Sequence, residues 1–223
     1  MRVERCFAFI DLTGFTAFTE HHGDERTVQI LTRFRGRVRE IAARRGVRVT
    51  KWLGDGAMLS SADTPAVVAL VLEIADRAAD TGPLDIRAGL AQGAVIMFEG
   101  DDYIGRAANV AARLCDAAAP AEVLATREVA SLAPRWVAAG APKSLNLQGI
   151  DRPVEAVVLS VATSEEMAVD PCCGLRLPVQ RGLDTRFGAD GTVQRFCSTA
   201  CALAWEETQR TPPAHPEEAP ARL

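Results

Sequence analysis

The sequence predicts an α+β protein: a ferredoxin-like antiparallel sheet with helices on one face, followed by a small C-terminal cysteine-containing module. Three observations carry that expectation. Up to Val161, short β-rich apolar runs and long amphipathic runs follow the order strand, helix, hairpin, helix, strands. After Val161 the character changes, and ATSEEMAV (residues 162–169) reads as a linker. Beyond it four of the six cysteines, Cys172, Cys173, Cys197 and Cys201, stand close together.

CFAFIDL (Cys6 to Leu12) is apolar until Asp11, as suits a central strand ending at a polar edge. Asp24 to Arg45 reads as a helix, with Val28, Leu31, Phe34, Val38 and Ile41 at helical intervals and Gly46 as its stop. Val47 to Leu53 and Ala57 to Ser61 flank Gly54-Asp55-Gly56 as a hairpin. Pro65 suits the first turn of a helix running to about Ala79. Ile86 to Gln92 and Ala94 to Phe98 read as a second hairpin around Gly93. An alanine-rich helix spans Ile104 to Ala117, and shorter strands follow near Val123, Trp136, Leu145 and Val154 to Val161. The domain reading is therefore a first domain over residues 1–161, the linker, a cysteine module over 170–208 and a proline- and charge-rich disordered tail over 209–223.

A net charge of −4 argues against a dedicated nucleic-acid binder, and no apolar run is long enough to span a bilayer. MRVERCFAFIDL lacks the apolar core of a secretory signal, so a cytoplasmic protein is expected. In a reducing compartment the late cysteines point to a metal or redox site rather than a structural disulfide, while Cys6 and Cys115 read as buried hydrophobes.

The expected topology makes chemistry. The first strand and the strand entering the GDG hairpin run in one direction, so Asp11 and Asp55 become neighbours at one sheet edge. Two adjacent carboxylates repel unless a cation lies between them, and a divalent metal is the simplest such cation. Lys51, four positions before Asp55, is one of only two lysines in the chain.

FAFIDLTGFT (Phe7 to Thr16), KWLGDG (Lys51 to Gly56) and GDDYIGRAANVAARL (Gly100 to Leu114) together resemble the class III adenylate/guanylate cyclase catalytic domain, over roughly Arg5 to Leu159. The resemblance implies the class III nucleotidyl cyclase fold and the conversion of ATP to 3′,5′-cyclic AMP and pyrophosphate. It implies that Asp11, Asp55 and the Leu12 backbone carbonyl hold two Mg²⁺ or Mn²⁺ ions per active site, and oxygen ligands suit such hard cations. It assigns Asn109 to orienting the ribose, Arg113 to charge on the α-phosphoryl group, and Lys51 and Asp102 to reading the base. A lysine donor and an aspartate acceptor match adenine, whereas guanine reverses both groups. The metal aspartates of one subunit work with the helix and base-reading residues of its partner in this family. One chain carrying the whole set implies a homodimer with two shared sites and an inactive monomer, with no nucleic acid or membrane as partner.

Each residue also has a plain structural reading. Asp55 suits a turn, Asp11 a helix cap and Lys51 an exposed strand. Asp102 suits a solvated loop, Asn109 a helix surface and Arg113 an ion pair with Asp116 or Glu122. His21 and His22 fall in an expected loop and receive no role. The alternatives in function are a guanylate cyclase, a catalytically silent cyclase-fold protein or a metal-sensing protein.

DPCCGLRLP (Asp170 to Pro178) and RFCSTACALAW (Arg195 to Trp205) resemble the YHS family of small cysteine domains. Cys173, Cys197, Cys201 and Trp205 match its motif, while Cys172 stands where an apolar residue is usual. The resemblance implies a soft metal such as Zn²⁺ on some set of Cys172, Cys173, Cys197 and Cys201, with His215 a remote candidate, or else a packing module without an ion.

Overall fold

The structure is a computed structural model of the chain and describes residues 1–78, 82–98 and 102–210. In chain order the elements are β1 (Arg2–Leu12), α1 (Phe15–His22), α2 (Asp24–Arg45), β2 (Arg48–Leu53), β3 (Gly56–Ser61) and α3 (Thr64–Asp76). Then come β4 (Ile86–Phe98), β5 (Asp102–Ile104), α4 (Arg106–Ala117), β6 (Val123–Thr126) and α5 (Arg127–Ser131). β7 (Val137–Ala139), β8 (Lys143–Leu145) and β9 (Val154–Val161) complete the main sheet. β10 (Met167–Val169), β11 (Arg176–Pro178), β12 (Asp184–Phe187), β13 (Val193–Phe196) and α6 (Thr199–Arg210) follow. β10 lies inside the stretch read as a linker. Ala79, Gly100, Asp101 and the tail from residue 211, His215 included, lie outside the described residues.

The sheet runs in the order β2-β3-β1-β4-β6-β9-β7, with β5 on β4 and β8 on β9. β1 is antiparallel to both β3 and β4, whereas β4 and β6 pair in parallel. The sheet is thus mixed rather than wholly antiparallel, because the chain returns through the α4 crossover. Helices cover both faces, not one. Cys6, Ala8, Ile10 and Leu12 of β1 face α2 and α3, while Phe7 joins Ala107, Val110, Ala111 and Leu114 of α4 on the other side. A strand apolar at successive positions needs both covers, since its side chains alternate between faces.

Ile86 to Phe98 is one strand, not a hairpin. Gly93 pairs in register with Arg5, and a Cβ on it would stand 3.4 Å from the Ala107 Cβ. A Cβ on Gly89 would fall 2.1 Å from the Cys115 nitrogen, so the α4 backbone lies directly on the strand. These glycines serve close approach rather than a turn. Alanine on α4 serves the same approach. β5 takes Ile104 out of the expected helix by pairing with β4, and α4 begins at Arg106.

α1 is an added helix: it holds His21 and His22 in its last turn, where a loop was expected, and Phe18 is its buried anchor. On α2 the buried stripe is Thr27, Ile30, Phe34, Val38, Ile41, Ala42 and Arg45, while Val28 is exposed. Asp63 caps α3 by accepting from the Ala66 N–H at 3.0 Å.

The C-terminal elements share the core of the α2/α3 face, to which Cys173, Leu175, Leu177, Phe196, Cys201 and Ala202 belong. Trp136, fully buried, donates its indole N–H to the Cys197 carbonyl at 2.8 Å. Among the described residues no helix is long and apolar enough to cross a membrane.

Gly89→Ala should cost about 3 kcal/mol or more by forcing α4 off the strand. Gly36→Ala, in α2 with open space around it, should instead add about 1 kcal/mol. Urea unfolding of the two variants checks the pair, and equal effects would contradict the backbone-on-backbone packing.

Candidate functional site

Asp11 stands near the end of β1, opposite Arg87 in the β1–β4 ladder. Arg87 donates to the Asp11 Oδ2 through Nε at 3.0 Å and Nη2 at 2.6 Å, and through Nη1 to the Asp116 carbonyl at 3.3 Å. The GDG turn approaches the same carboxylate. Gly54 takes φ +63°, and a Cβ on Gly56 would lie 2.6 Å from the Ile10 carbonyl and 3.2 Å from the Asp11 Oδ1. Glycine at 56 is therefore what lets the hairpin tip close on β1. Asp55 follows the turn into half-buried surroundings. Burial raises its pKa, the Asp11 charge adds to the rise, and its own backbone hydrogen bond and Arg87 oppose it. The two carboxylates thus lie within each other's field. Leu12 closes β1 opposite Ile86 and is buried.

Lys51 and Asp102 meet within one chain, Nζ to Oδ2 at 2.9 Å, both about half exposed. Two local features bring them together. The β2–β3 register shifts between Val49 and Lys51, and such a bulge re-aims the side chains that follow it. The β4–β5 hairpin folds back so that the Tyr103 ring meets the Phe7 ring edge-on, with centroids 5.2 Å apart. The Tyr103 N–H also holds the Asp102 Oδ1 at 2.9 Å. The bond from Lys51, then that from Tyr103, keeps the Asp102 carboxyl below its ordinary pKa.

Asn109 and Arg113 occupy the exposed side of α4, four residues apart, while Ala107, Val110, Ala111 and Leu114 are buried. Arg113 pairs with Asp116 at 2.9 Å, an exposed contact of small energetic weight. Asp116 therefore links Arg113, through its carboxylate, to Arg87 and Asp11, through its carbonyl. Arg87 is the residue sequence reasoning missed. Nothing marks one arginine among so many, and only its register opposite Asp11 identifies it.

The second cluster is buried between the sheet's α2/α3 face and the C-terminal elements. Asp170, Cys173, Cys197 and Cys201 offer ligand atoms that all lie within 4.8 Å of one another. Sulfur separations are 3.7 Å for Cys173–Cys197 and 3.5 Å for Cys197–Cys201. Thiolates on a tetrahedral zinc, with Zn–S bonds of about 2.3 Å, stand about 3.8 Å apart, so the spacing fits such an ion. Cys172 is half-buried, and its interaction with Cys201 raises its pKa. Asp170, also missed from sequence, accepts from the N–H groups of Cys172, Cys173 and Cys197 at 2.8, 3.2 and 2.7 Å. Those three bonds make it the organiser of the cysteine loops.

Two cations reach this cluster from the end of α2. Arg44 Nη1 donates to the Cys201 sulfur at 2.9 Å and Arg45 Nη2 to the Cys197 sulfur at 3.1 Å. Both also bond Glu73 of α3, which is 1% exposed. Hydrogen bonds from Cys172, Cys173 and Cys197, with Arg45 nearby, draw the Cys201 pKa far down, so one thiolate is favoured there. A cavity of about 450 Å³ lined by Arg45, Asp184, Cys197, Ser198 and Thr199 opens beside the sulfurs.

No family model matches the chain. Over 152 residues it is 37% identical to an uncharacterised protein of Mycobacterium tuberculosis, covering 68% of this chain and 40% of that one. It is 34% identical over 118 residues to an adenylate cyclase of Streptomyces coelicolor, covering 52% of this chain and 30% of that one. The chain thus spans well under half the length of these relatives. Among solved structures, the adenylyl cyclase CyaB from P. aeruginosa superposes with a TM-score of 0.66 at 26% identity, covering 75% of this chain and 98% of that one. The fold is that of the class III nucleotidyl cyclase domains, both adenylyl and guanylyl.

Asp55 sets a pH test of this geometry. Its pKa in the fold lies above the ordinary carboxylate range, so the folded chain holds a proton more readily than the unfolded chain. Metal-free Asp55→Asn should be more stable than wild type at neutral pH, with the advantage shrinking as pH falls through the raised pKa. Urea titrations in chelator across pH measure it, and an advantage that grows on acidification contradicts the assignment.

Proposed function

We propose that the chain is an adenylate cyclase that converts ATP to 3′,5′-cyclic AMP and pyrophosphate at sites shared between two copies. The observation that carries the reading is the convergence of Asp11 and Asp55 at one sheet edge of a cyclase fold, where the Asp11 charge helps to raise the Asp55 pKa. Two hard divalent ions, Mg²⁺ or Mn²⁺, suit these oxygens and would supply activation of the ribose 3′-hydroxyl and neutralisation of the departing pyrophosphate.

The protein's own groups do the rest. Asp11 and Asp55, with the Leu12 carbonyl, would hold the cations. Arg87 holds the Asp11 carboxylate in place through two N–H bonds to its Oδ2. Arg113 on the partner copy donates to the α-phosphoryl oxygens as charge builds, and Asn109, one turn away on the same face, orients the ribose. Lys51 donates to adenine N1 and Asp102 accepts from the exocyclic amine. Their mutual ion pair keeps both aimed until the base arrives. Guanine would leave donor facing donor and acceptor facing acceptor, at about 1–3 kcal/mol for each unpaired group.

The same reading gives the C-terminal elements a soft metal such as Zn²⁺ on Cys173, Cys197 and Cys201. The spacing of these three sulfurs supports it. Purified protein should retain about one equivalent of zinc per chain after dialysis, and Cys197→Ser should lose it; metal-free wild type would remove this part.

Turnover of ATP and of GTP, each with Mg²⁺ and Mn²⁺, tests the activity. ATP should lead by at least about tenfold, and Lys51→Glu should erase that lead by lowering the ATP rate. Asp55→Ala should lose about a hundredfold or more in rate with both metals. No turnover of either nucleotide overturns the reading, and a GTP preference in wild type overturns the base assignment.

A further inference from the structure

The feature that the nucleotide site leaves unused is the contact between its own helix α2 and the buried cysteines. Arg44 and Arg45 divide their N–H groups between two acceptors, the sulfurs of Cys201 and Cys197 and the Glu73 carboxylate. Both acceptor sets are buried. An ion bonded to Cys197 and Cys201 would fix their sulfurs at about the 3.8 Å separation of a tetrahedral zinc, against 3.5 Å here, and with them the sulfur acceptors of both guanidiniums. Occupancy of the cluster therefore sets where the two guanidiniums are held between the sulfurs and Glu73 of α3. This is the differential interaction that any ligand needs in order to shift a structure.

Further along the same helix, Arg35 donates Nη2 to the Gly54 carbonyl at 2.7 Å. Arg35 and Arg39 both stack on the Trp52 ring at 5.0 Å. Gly54 precedes Asp55 and Trp52 follows Lys51, so these contacts clamp the hairpin that holds one metal aspartate and one base-reading residue. Between Arg35 and Arg45 the helix rises about 15 Å, pinned along its length by Phe34, Val38, Ile41 and Ala42. A shift of its last turn is thus carried as a rigid displacement rather than absorbed.

We propose that α2 is the link through which occupancy of the cysteine cluster sets the position and order of the Asp55 hairpin. The inference rests on the soft-metal reading of Cys173, Cys197 and Cys201. Loading with Zn²⁺ fixes the sulfurs that hold Arg44 and Arg45 and so steadies the GDG turn, and loss of the ion loosens it.

Hydrogen exchange of the full-length chain, with and without one equivalent of Zn²⁺, tests the link, with zinc content measured in the same samples. In wild type, zinc should slow exchange in peptides spanning Arg48 to Ser61 by about fivefold or more, with Val154 to Val161 unchanged. In Arg35→Met, zinc should bind as before and protect the cysteine loops, while the hairpin no longer responds. Arg39→Met, at an exposed position where folding is not at risk, should weaken the response in smaller measure. Zinc bound by wild type with an unchanged hairpin overturns the link and leaves the metal site standing. So does hairpin protection that survives in both variants. Absence of zinc from wild type overturns the metal reading and the link together.

Discussion

Burial of β1 on both faces fixes its register against β3 and β4, and from that register the candidate site follows. With α2 and α3 on one side and α4 on the other, a slip by one residue would exchange Phe7 for Cys6 or Ala8 and misfit both layers. The register sets Asp11 against Arg87 and Ile10 against Ala57, and so seats Gly56 on the carbonyl of Ile10. The carboxylates are neighbours because the sheet can close in only one way.

The glycines on β4 complete that constraint. Gly89 and Gly93 let α4 settle on the strand, which places Asn109 and Arg113 outward on a helix whose inner side is alanine and leucine. A bulkier strand would lift α4 and carry both side chains with it. On the opposite face, Arg45 and Glu73 form a buried pair, an arrangement that costs desolvation and is retained where its partners are numerous. Here the partners include two cysteine sulfurs, which ties the fold of the sheet domain to the chemistry of the C-terminal elements.

Much of this was legible in the sequence, and what was not has a physical reason. The apolar run at Phe7 to Ile10, the Gly46 stop and the GDG turn are local signals, and they placed β1, α2 and the β2–β3 hairpin. Gly93 misled because a glycine in a strand is read as a turn unless the helix pressing on it is known. The side of the sheet that α4 covers was also hidden, since an alanine-rich pattern marks a close-packed helix but not its neighbour. Lys51 and Asp102 are joined by a bulge and a folded-back hairpin, both tertiary features. Asp170 sat in plain view before Pro171, but three backbone donors converging on one carboxylate cannot be read from spacing.

The central claim is that each site draws Asp55 from one copy and Arg113 from another. Mixing Asp55→Ala with Arg113→Ala subunits, each inactive alone, tests it most directly. Random exchange makes half the dimers mixed, each with one intact site, so about a quarter of wild-type ATP turnover should return. Mixed dimers that form and stay inactive would contradict the shared site.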